Sequence, residues 1–442
     1  MGPPSMSISV ASPQGNLGEN SGIPSDFILR PRHAKRWVTN SKLRNRWPLD
    51  NKCELIQVAI CDSQCGFRNP LGAPIHATLR ISLRRPGPLL LPAAVLLIIV
   101  CAGFCAACGG TGRAESTGSP ERSQTFSFFR IVDAIGHPLT VQYAYAPAII
   151  LKDNVYHVFF CSGGDIFPAW DYIRYVNSTD GGKSWSSPVD MLRATAFDGN
   201  DLSACDPSVV YFQGFYYMFY GSAVTTGPQV FQTVVQVARA AAITGPYLTY
   251  TQRRTWEDTP TDPQVIIRPM MTRTQQPSGY GSGQPSVVVL NNKLLMWYTD
   301  DSLQAGPPGD FGAFRLYMLE SSDPVTWATD ASRQTNISGQ DSPDVKYDAS
   351  ANRFVATWVL NMFSTQTSLV RAFSSDGITW SKAEAVIPAS KFLPYTNNAG
   401  AAGDETGHLL PAQNLVGFGR PYSQDDIDHG RFDLFGVLVD TP

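Results

Sequence analysis

CDPSVVYFQGFYYMFYGS, residues Cys205 to Ser222, decides the fold. Two apolar runs, Ser208–Phe212 and Phe215–Tyr220, flank Gln213-Gly214, a two-residue turn in which Gly accepts a positive φ. Val, Tyr and Phe suit a pleated surface, and the lack of apolar–polar alternation predicts strands covered on both faces. Asp206-Pro207 opens the first run. Proline donates nothing to a ladder, so it belongs at a strand's start. The acid before it then sits at the strand mouth.

The phrase recurs as APAIILKDNVYHVFFCSG (Ala146–Gly163), QPSVVVLNNKLLMWYTDD (Gln284–Asp301) and SPDVKYDASANRFVATWVL (Ser342–Leu360). Each has a residue, Pro, a short strand, a turn and a second strand. A second phrase closes the units. STDGGKSW (Ser178–Trp185) fits the Asp-box pattern S-x-D-x-G-x-(S/T)-W. SSDPVTW (Ser321–Trp327) and SSDGITW (Ser374–Trp380) are shorter forms, and Ile243–Tyr250 stands in the same place in the second unit. Asp and Gly make the turn and Trp packs it onto the sheet, a structural role without chemistry. A degenerate fifth unit spans Asn397–Leu410, Asn414–Tyr422 and Arg431–Asp440. Repeated four-stranded units predict an all-β, five-bladed β-propeller over residues 125–442. Thr125–Asp133 is expected to complete the last blade and close the ring.

The part before the propeller reads differently. Residues 1–85 carry 12 Lys+Arg against 5 Asp+Glu, while the remaining 22 basic residues face 32 acidic ones. This basic head has no aromatic stacking pattern and no helix or strand period, so it reads as disordered or as sequence upstream of the true start. A nucleic-acid partner is not expected. Cys53, Cys61 and Cys65 lack the second pair that a zinc site needs. Residues 86–108 hold the apolar run Leu89–Cys108 behind Arg80, Arg84 and Arg85. It is either a lipoprotein-type export signal, with Cys108 the lipidated residue, or a single membrane span. Both place the propeller outside the cytoplasm, anchored to the cell envelope or secreted. Residues 109–124 are a polar tether. Cys161 and Cys205 then remain, to pair in an oxidising compartment or to lie buried as thiols.

In a propeller the first strand of each blade lines the central channel. The residues before each repeat proline, Ala146, Asp206, Gln284 and Ser342, are expected there, with Asp341 and Asp344 flanking the fourth. Asp404 and Glu405, with His408 behind, come from the fifth unit. These acids are expected to converge at one mouth. The repeat resembles the five-bladed propellers of glycoside hydrolase families 43, 32, 62 and 68. The Asp-Pro-Ser-Val-Val of 206–210, its aromatic partner strand, and the Ser-Ser-Asp-Gly-Ile-Thr-Trp of 374–380 carry the likeness. The resemblance covers residues 125–440. It implies a first-blade acid as base or nucleophile, a second Asp that orients substrate, and a Glu as general acid. Here Ala146 stands at the first-blade position, and Gln284 and Ser342 are uncharged. The catalytic candidates are therefore Asp206, Asp341, Asp404 and Glu405. Asp165, Trp170, Asp171 and Gln284 are candidates for substrate binding, with Trp170 stacking on a sugar. His408 is the candidate for a central ion such as Ca; no other cofactor is expected. Two functions follow: a carbohydrate-active hydrolase, or a non-catalytic propeller that binds sugar or protein. The Asp box raises a third, sialidase-like reading, which is disfavoured because the candidates Arg371, Arg420 and Arg431 form no motif.

Overall fold

A computed structural model describes residues 125–442 apart from 136–142, 166–170, 196–200, 228–229, 271–280, 303–313 and 339–341. The head, the apolar run and the tether lie outside the described residues, as do Trp170 and Asp341. Among the described residues no helix is long and apolar enough to cross a membrane.

The chain is a five-bladed β-propeller, as the repeats predict. After β1 (Phe128–Val132), blade 1 holds β2 (Ala144–Lys152), β3 (Val155–Gly163), β4 (Asp171–Ser178) and β5 (Val189–Arg193). Blade 2 holds β6 (Cys205–Phe212), β7 (Phe215–Gly227), β8 (Val230–Ala240), β9 (Leu248–Tyr250) and the short β10 (Trp256–Glu257). Blade 3 holds β11 (Ser282–Leu290), β12 (Lys293–Asp300), β13 (Arg315–Ser321) and β14 (Arg333–Ser338). Blade 4 holds β15 (Asp344–Asp348), β16 (Arg353–Leu360), β17 (Ser368–Ser374) and β18 (Glu384–Ile387). Blade 5 holds β19 (Asn397–Gly403), β20 (Gln413–Arg420) and β21 (Asp433–Asp440), and a single helical turn, α1 (Gln424–Asp428), precedes β21. The N-terminal β1 pairs with β21 and completes blade 5, as expected. Blades 5 and 1 form one continuous sheet because β19 pairs in parallel with β2.

The inner strands β2, β6, β11, β15 and β19 contact one another in a closed cycle. Each starts at the same end of the ring, called the mouth, and ends at the base. The hairpins to the second strands turn at the base. In the first three blades their central residues have positive φ, at Asp153-Asn154, Gln213-Gly214 and Asn291-Asn292. That geometry matches the right-handed twist of the flanking strands, and small polar residues or Gly tolerate it.

The core is five wedges, one in each seam between blades. Phe159 and Tyr220 are buried between blades 1 and 2, Phe219 and Tyr298 between 2 and 3, and Trp297 and Trp358 between 3 and 4. Phe418 and Leu369 fill the fourth seam, and Phe160 and Leu434 the fifth. Each blade therefore buries both faces, which is why the strands read as unbroken apolar runs.

The Asp boxes are turns at the base edge, as expected. Asp180 accepts from the backbone N–H of Lys183 and Ser184 and from the hydroxyls of Ser178 and Ser184. Asp376 does the same for Ile378 and Thr379, and these backbone bonds hold its pKa down at about 2. Trp297 of blade 3 donates its Nε1–H to the Gly377 carbonyl at 2.8 Å, docking the blade 4 box across the seam.

Candidate functional site

Ala146, Asp206, Gln284 and Ser342 share an unusual backbone. Their φ values are 49°, 47°, 47° and 55°, in the left-handed region that non-glycine residues rarely enter. Asn398 of blade 5 joins them with φ 33°. A register shift follows in the first three blades and in the fifth, so the inner strand kinks as it leaves the mouth. Each such residue costs on the order of 1–3 kcal/mol and persists only where its surroundings enforce it. Strain repeated in every blade at one end of the ring marks that end as the candidate site.

Below the kinks, residues from four inner strands and from the turn after β19 line the channel, among them Ile149, Ser208, Val287, Asp344, Lys346 and Asp404. Three seams carry the same device there. Ser208 Oγ accepts the N–H of Val287 at 2.9 Å, Ser286 Oγ accepts that of Val345 at 2.8 Å, and Asp344 Oδ2 accepts that of Ala401 at 2.7 Å. In each, the second residue past the kink reaches to the next blade. Ser286 also donates to Asp344 Oδ1, and Lys346 pairs with that oxygen at 2.5 Å. Asp344, half-buried, is thus a fastener of three blades.

The mouth ring holds one carboxylate, two amides, a hydroxyl and a methyl. The Asp206 carboxylate is half-buried and lies over Gly221, where an ideal Cβ would stand 3.4 Å from Oδ2. Gln284 accepts from Thr299, and Asn398 Nδ2 donates to Ser342 Oγ at 2.8 Å. Asp171, at the head of β4, reaches the same end. It is buried and accepts hydrogen bonds from Tyr143 Oη and, at 2.8 Å, from Ser203 Oγ. Burial drives the Tyr143 pKa well up, so its hydroxyl stays protonated and donates. Asp165 is exposed, and the Tyr172 hydroxyl donates to it at 2.8 Å, which lowers its pKa.

The structure thus brings Asp165, Asp171, Asp206 and Gln284 to one end. It does not bring Asp404, Glu405 and His408 there. β6 runs from Cys205 at the mouth to Phe212 at the base, and the Tyr211 N–H donates to the Glu405 carbonyl. Five residues of strand, roughly 16 Å, separate that contact from Asp206. The expected convergence fails because β19 carries the 404–408 turn to the far end. There the turn is a plug. Asp404 Oδ1 accepts the N–H of Thr406 and of His408, closing the loop on itself. Glu405 pairs with Lys152 of blade 1 and accepts from Tyr216 Oη of blade 2 at 2.8 Å. Val289 and Tyr347, of blades 3 and 4, donate their N–H groups to the carbonyls of Thr406 and Gly407. His408 Nε2 sits 2.8 Å from the Val289 carbonyl, and its ring packs on Tyr347.

Four mouth features were not expected from sequence. Asn398 has no following proline and so escaped the repeat. Tyr143 precedes its repeat by three residues. Cys161 and Cys205 form a disulfide across the first seam, with Cα atoms 4.7 Å apart, and the Tyr145 hydroxyl lies 3.1 Å from Cys205 Sγ. The sequence left the pairing open as one of two readings. Arg420 ends β20 at the mouth end. Its guanidinium lies over the rings of Tyr422 (4.6 Å) and Phe435 (5.2 Å), and its buried Nε meets no acceptor. Among the described residues no carboxylate reaches it as an ion pair, and burial lowers its pKa.

No family model matches the chain, and no curated protein sequence matches it. Its fold matches solved structures. A family 117 glycoside hydrolase, Zg3597 of the marine bacterium Zobellia galactanivorans, superposes with TM-score 0.50 at 12% identity, covering 72% of this chain and 90% of its own. The catalytic domain of the Coprinopsis cinerea GH62 α-L-arabinofuranosidase gives 0.49 at 14%, covering 72% and 97%. The Xanthomonas citri GH43_1 enzyme in complex with xylotriose gives 0.47 at 12%, covering 70% and 90%. Residues 125–442 of this chain share the propeller fold of glycoside hydrolases.

Proposed function

We propose that this chain is a glycoside hydrolase-like propeller that binds a carbohydrate at the mouth of its channel. The composition of the strained ring carries the reading. Asp206, Gln284, Ser342 and Asn398 offer acceptors and donors in a shared rim, which is what reading sugar hydroxyls requires. Arg420, whose Nε meets no acceptor among the described residues, supplies further donors at the same end. Hydrolysis needs two carboxyl groups at suitable separation, and among the described residues the five-position ring holds one. Binding without turnover is therefore the primary reading.

A second reading is hydrolysis through Asp206 and Asp171. It is favoured by Asp171 lying at the same end, with a tyrosine hydroxyl on its carboxylate. Export belongs to the proposal too. The Leu89–Cys108 run supports it, and so does a disulfide, which persists in oxidising compartments. Anchoring then follows by lipid at Cys108 or by one span.

The test is a glycan array followed by calorimetry on the strongest ligand. Asp206→Asn, which keeps size and removes charge, is expected to weaken binding at least tenfold without changing the circular dichroism. No ligand on the array, or undiminished affinity in both Asp206→Asn and Gln284→Ala, overturns the reading. Turnover of aryl-glycosides that is lost in Asp171→Asn replaces it with the hydrolase.

A further inference from the structure

The five seams are not fastened alike. Seams 2–3, 3–4 and 4–5 each have a side-chain oxygen that grips the next blade's N–H, from Ser208, Ser286 and Asp344. Seam 5–1 has backbone pairing instead, Ala402 with Ile149 and Gly403 with Ile150. There the matching residue is Gly400, and an ideal Cβ on it would lie 1.8 Å from the Pro147 carbonyl oxygen. At seam 1–2 the matching residue is Ala148, whose methyl can accept nothing. That seam carries the Cys161–Cys205 disulfide. Both cysteines are buried, packed with Ala146, and Cys205 directly precedes Asp206. At the same level Ser203 Oγ donates to Asp171 Oδ2, the Ala204 N–H donates to the Asp171 carbonyl at 3.1 Å, and the Tyr145 hydroxyl lies by Cys205 Sγ, while at the base Glu405 bridges Lys152 and Tyr216.

We infer that the disulfide is the positioning element of the mouth. It takes the place of the missing side-chain clasp at seam 1–2 and holds Ala146 and Asp206 in their left-handed conformations. A covalent link at Cys205 fixes the backbone one residue from Asp206, so it sets the direction of that carboxylate. Without it, seam 1–2 keeps its apolar wedge but loses the tie nearest the kink, and a strained residue relaxes when its surroundings loosen. The effect on ligand affinity rests on the carbohydrate reading; the effect on the backbone does not.

The experiment compares wild type with the Cys161→Ala/Cys205→Ala double variant, both in the full chain. Amide exchange by mass spectrometry is expected to rise in peptides covering 145–149 and 205–209, while those covering Val287 and Val345 stay protected. Glycan affinity is expected to fall at least tenfold at a temperature well below unfolding. Adding Ala148→Ser, which supplies the absent oxygen, is expected to return part of the protection at Val209. If the crosslink merely stabilises, its removal lowers the Tm and leaves exchange at the two kinks, and affinity, unchanged; that result overturns the inference. If the double variant does not fold, wild type treated with dithiothreitol, with free thiols counted, gives the same comparison. If wild type binds no glycan, the carbohydrate reading fails and the exchange pattern alone decides the positioning role.

Discussion

Asp201 shows how one residue's surroundings become a measurable property. It is buried, and its carboxylate accepts from Thr195 N–H, Thr195 Oγ1 and Ser222 Oγ. Burial outweighs those bonds and raises its pKa to about 6. An acid whose folded pKa lies above its unfolded value stabilises the fold when protonated. The contribution is complete below about pH 4, falls between 4 and 6, and is gone above 6. Two units correspond to about 3 kcal/mol at most. Asp201→Asn is therefore expected to raise the Tm relative to wild type by more at pH 8 than at pH 4, by a few degrees. An equal difference at both values would place the titration elsewhere. Gly400 is the opposite kind of residue, needed for space alone. Gly400→Ala drives a methyl into the Pro147 carbonyl, and the expected result is loss of soluble, folded protein on expression. Retention of the wild-type melting point would show that β2 and β19 separate easily.

At the scale of elements, the oxygen clasps decide how blades register. Ser286→Ala removes a bond to Val345 N–H and one to Asp344, and leaves a buried N–H unpaired. That costs about 1–3 kcal/mol. The expected fall in Tm is several degrees, read by calorimetry, with Ser286→Thr closer to wild type because it keeps the hydroxyl. The same scale shows what a sequence can and cannot announce. The Pro-Ser-Val of 207–209 and 285–287 was visible as a repeat of strand starts, but nothing local says that its serine grips another blade. Blade 4 uses Asp344 for the same job, so identity of residue does not reveal it. The prolines announced four strand starts because proline donates nothing to a ladder, but not that the residue before each takes a positive φ. The fifth, at Asn398, is followed by Ala399 and gave no signal. The closing strand β1 was legible because Phe128–Val132 is an apolar run with nowhere else to pair.

For the whole molecule, the apolar runs and turn residues specified the propeller because every blade buries both faces. The site was legible only in part. Placing Asp206, Gln284 and Asp171 at one end needs only the direction of each strand, which the repeats supply. Asp404 and Glu405 went to the wrong end because a fifth blade without its proline hides where its inner strand stops. That the two acids belong to a plug is a matter of contacts across four other blades. Glu405→Ala is expected to leave ligand affinity within twofold and to lower the Tm, as it releases Lys152 and Tyr216 together. A large loss of affinity with no change in Tm would return Glu405 to the binding site.

The plug also has a bearing on time. Glu405 meets Lys152 and Tyr216 across 253 and 189 residues of chain, and His408 meets Val289 across 119. Contacts so distant in sequence are slow to find, because the entropy of closing such loops is spent before the contact returns anything. They also cannot form until the first four blades have been made, since the turn follows the inner strand of blade 5. The ring should therefore close late and as a unit, once all five blades are present. The amide protons of Tyr211, Val289 and Tyr347 are expected to gain protection together, and last, in pulse-labelled refolding. Early protection of any one of them would mean that the base assembles blade by blade.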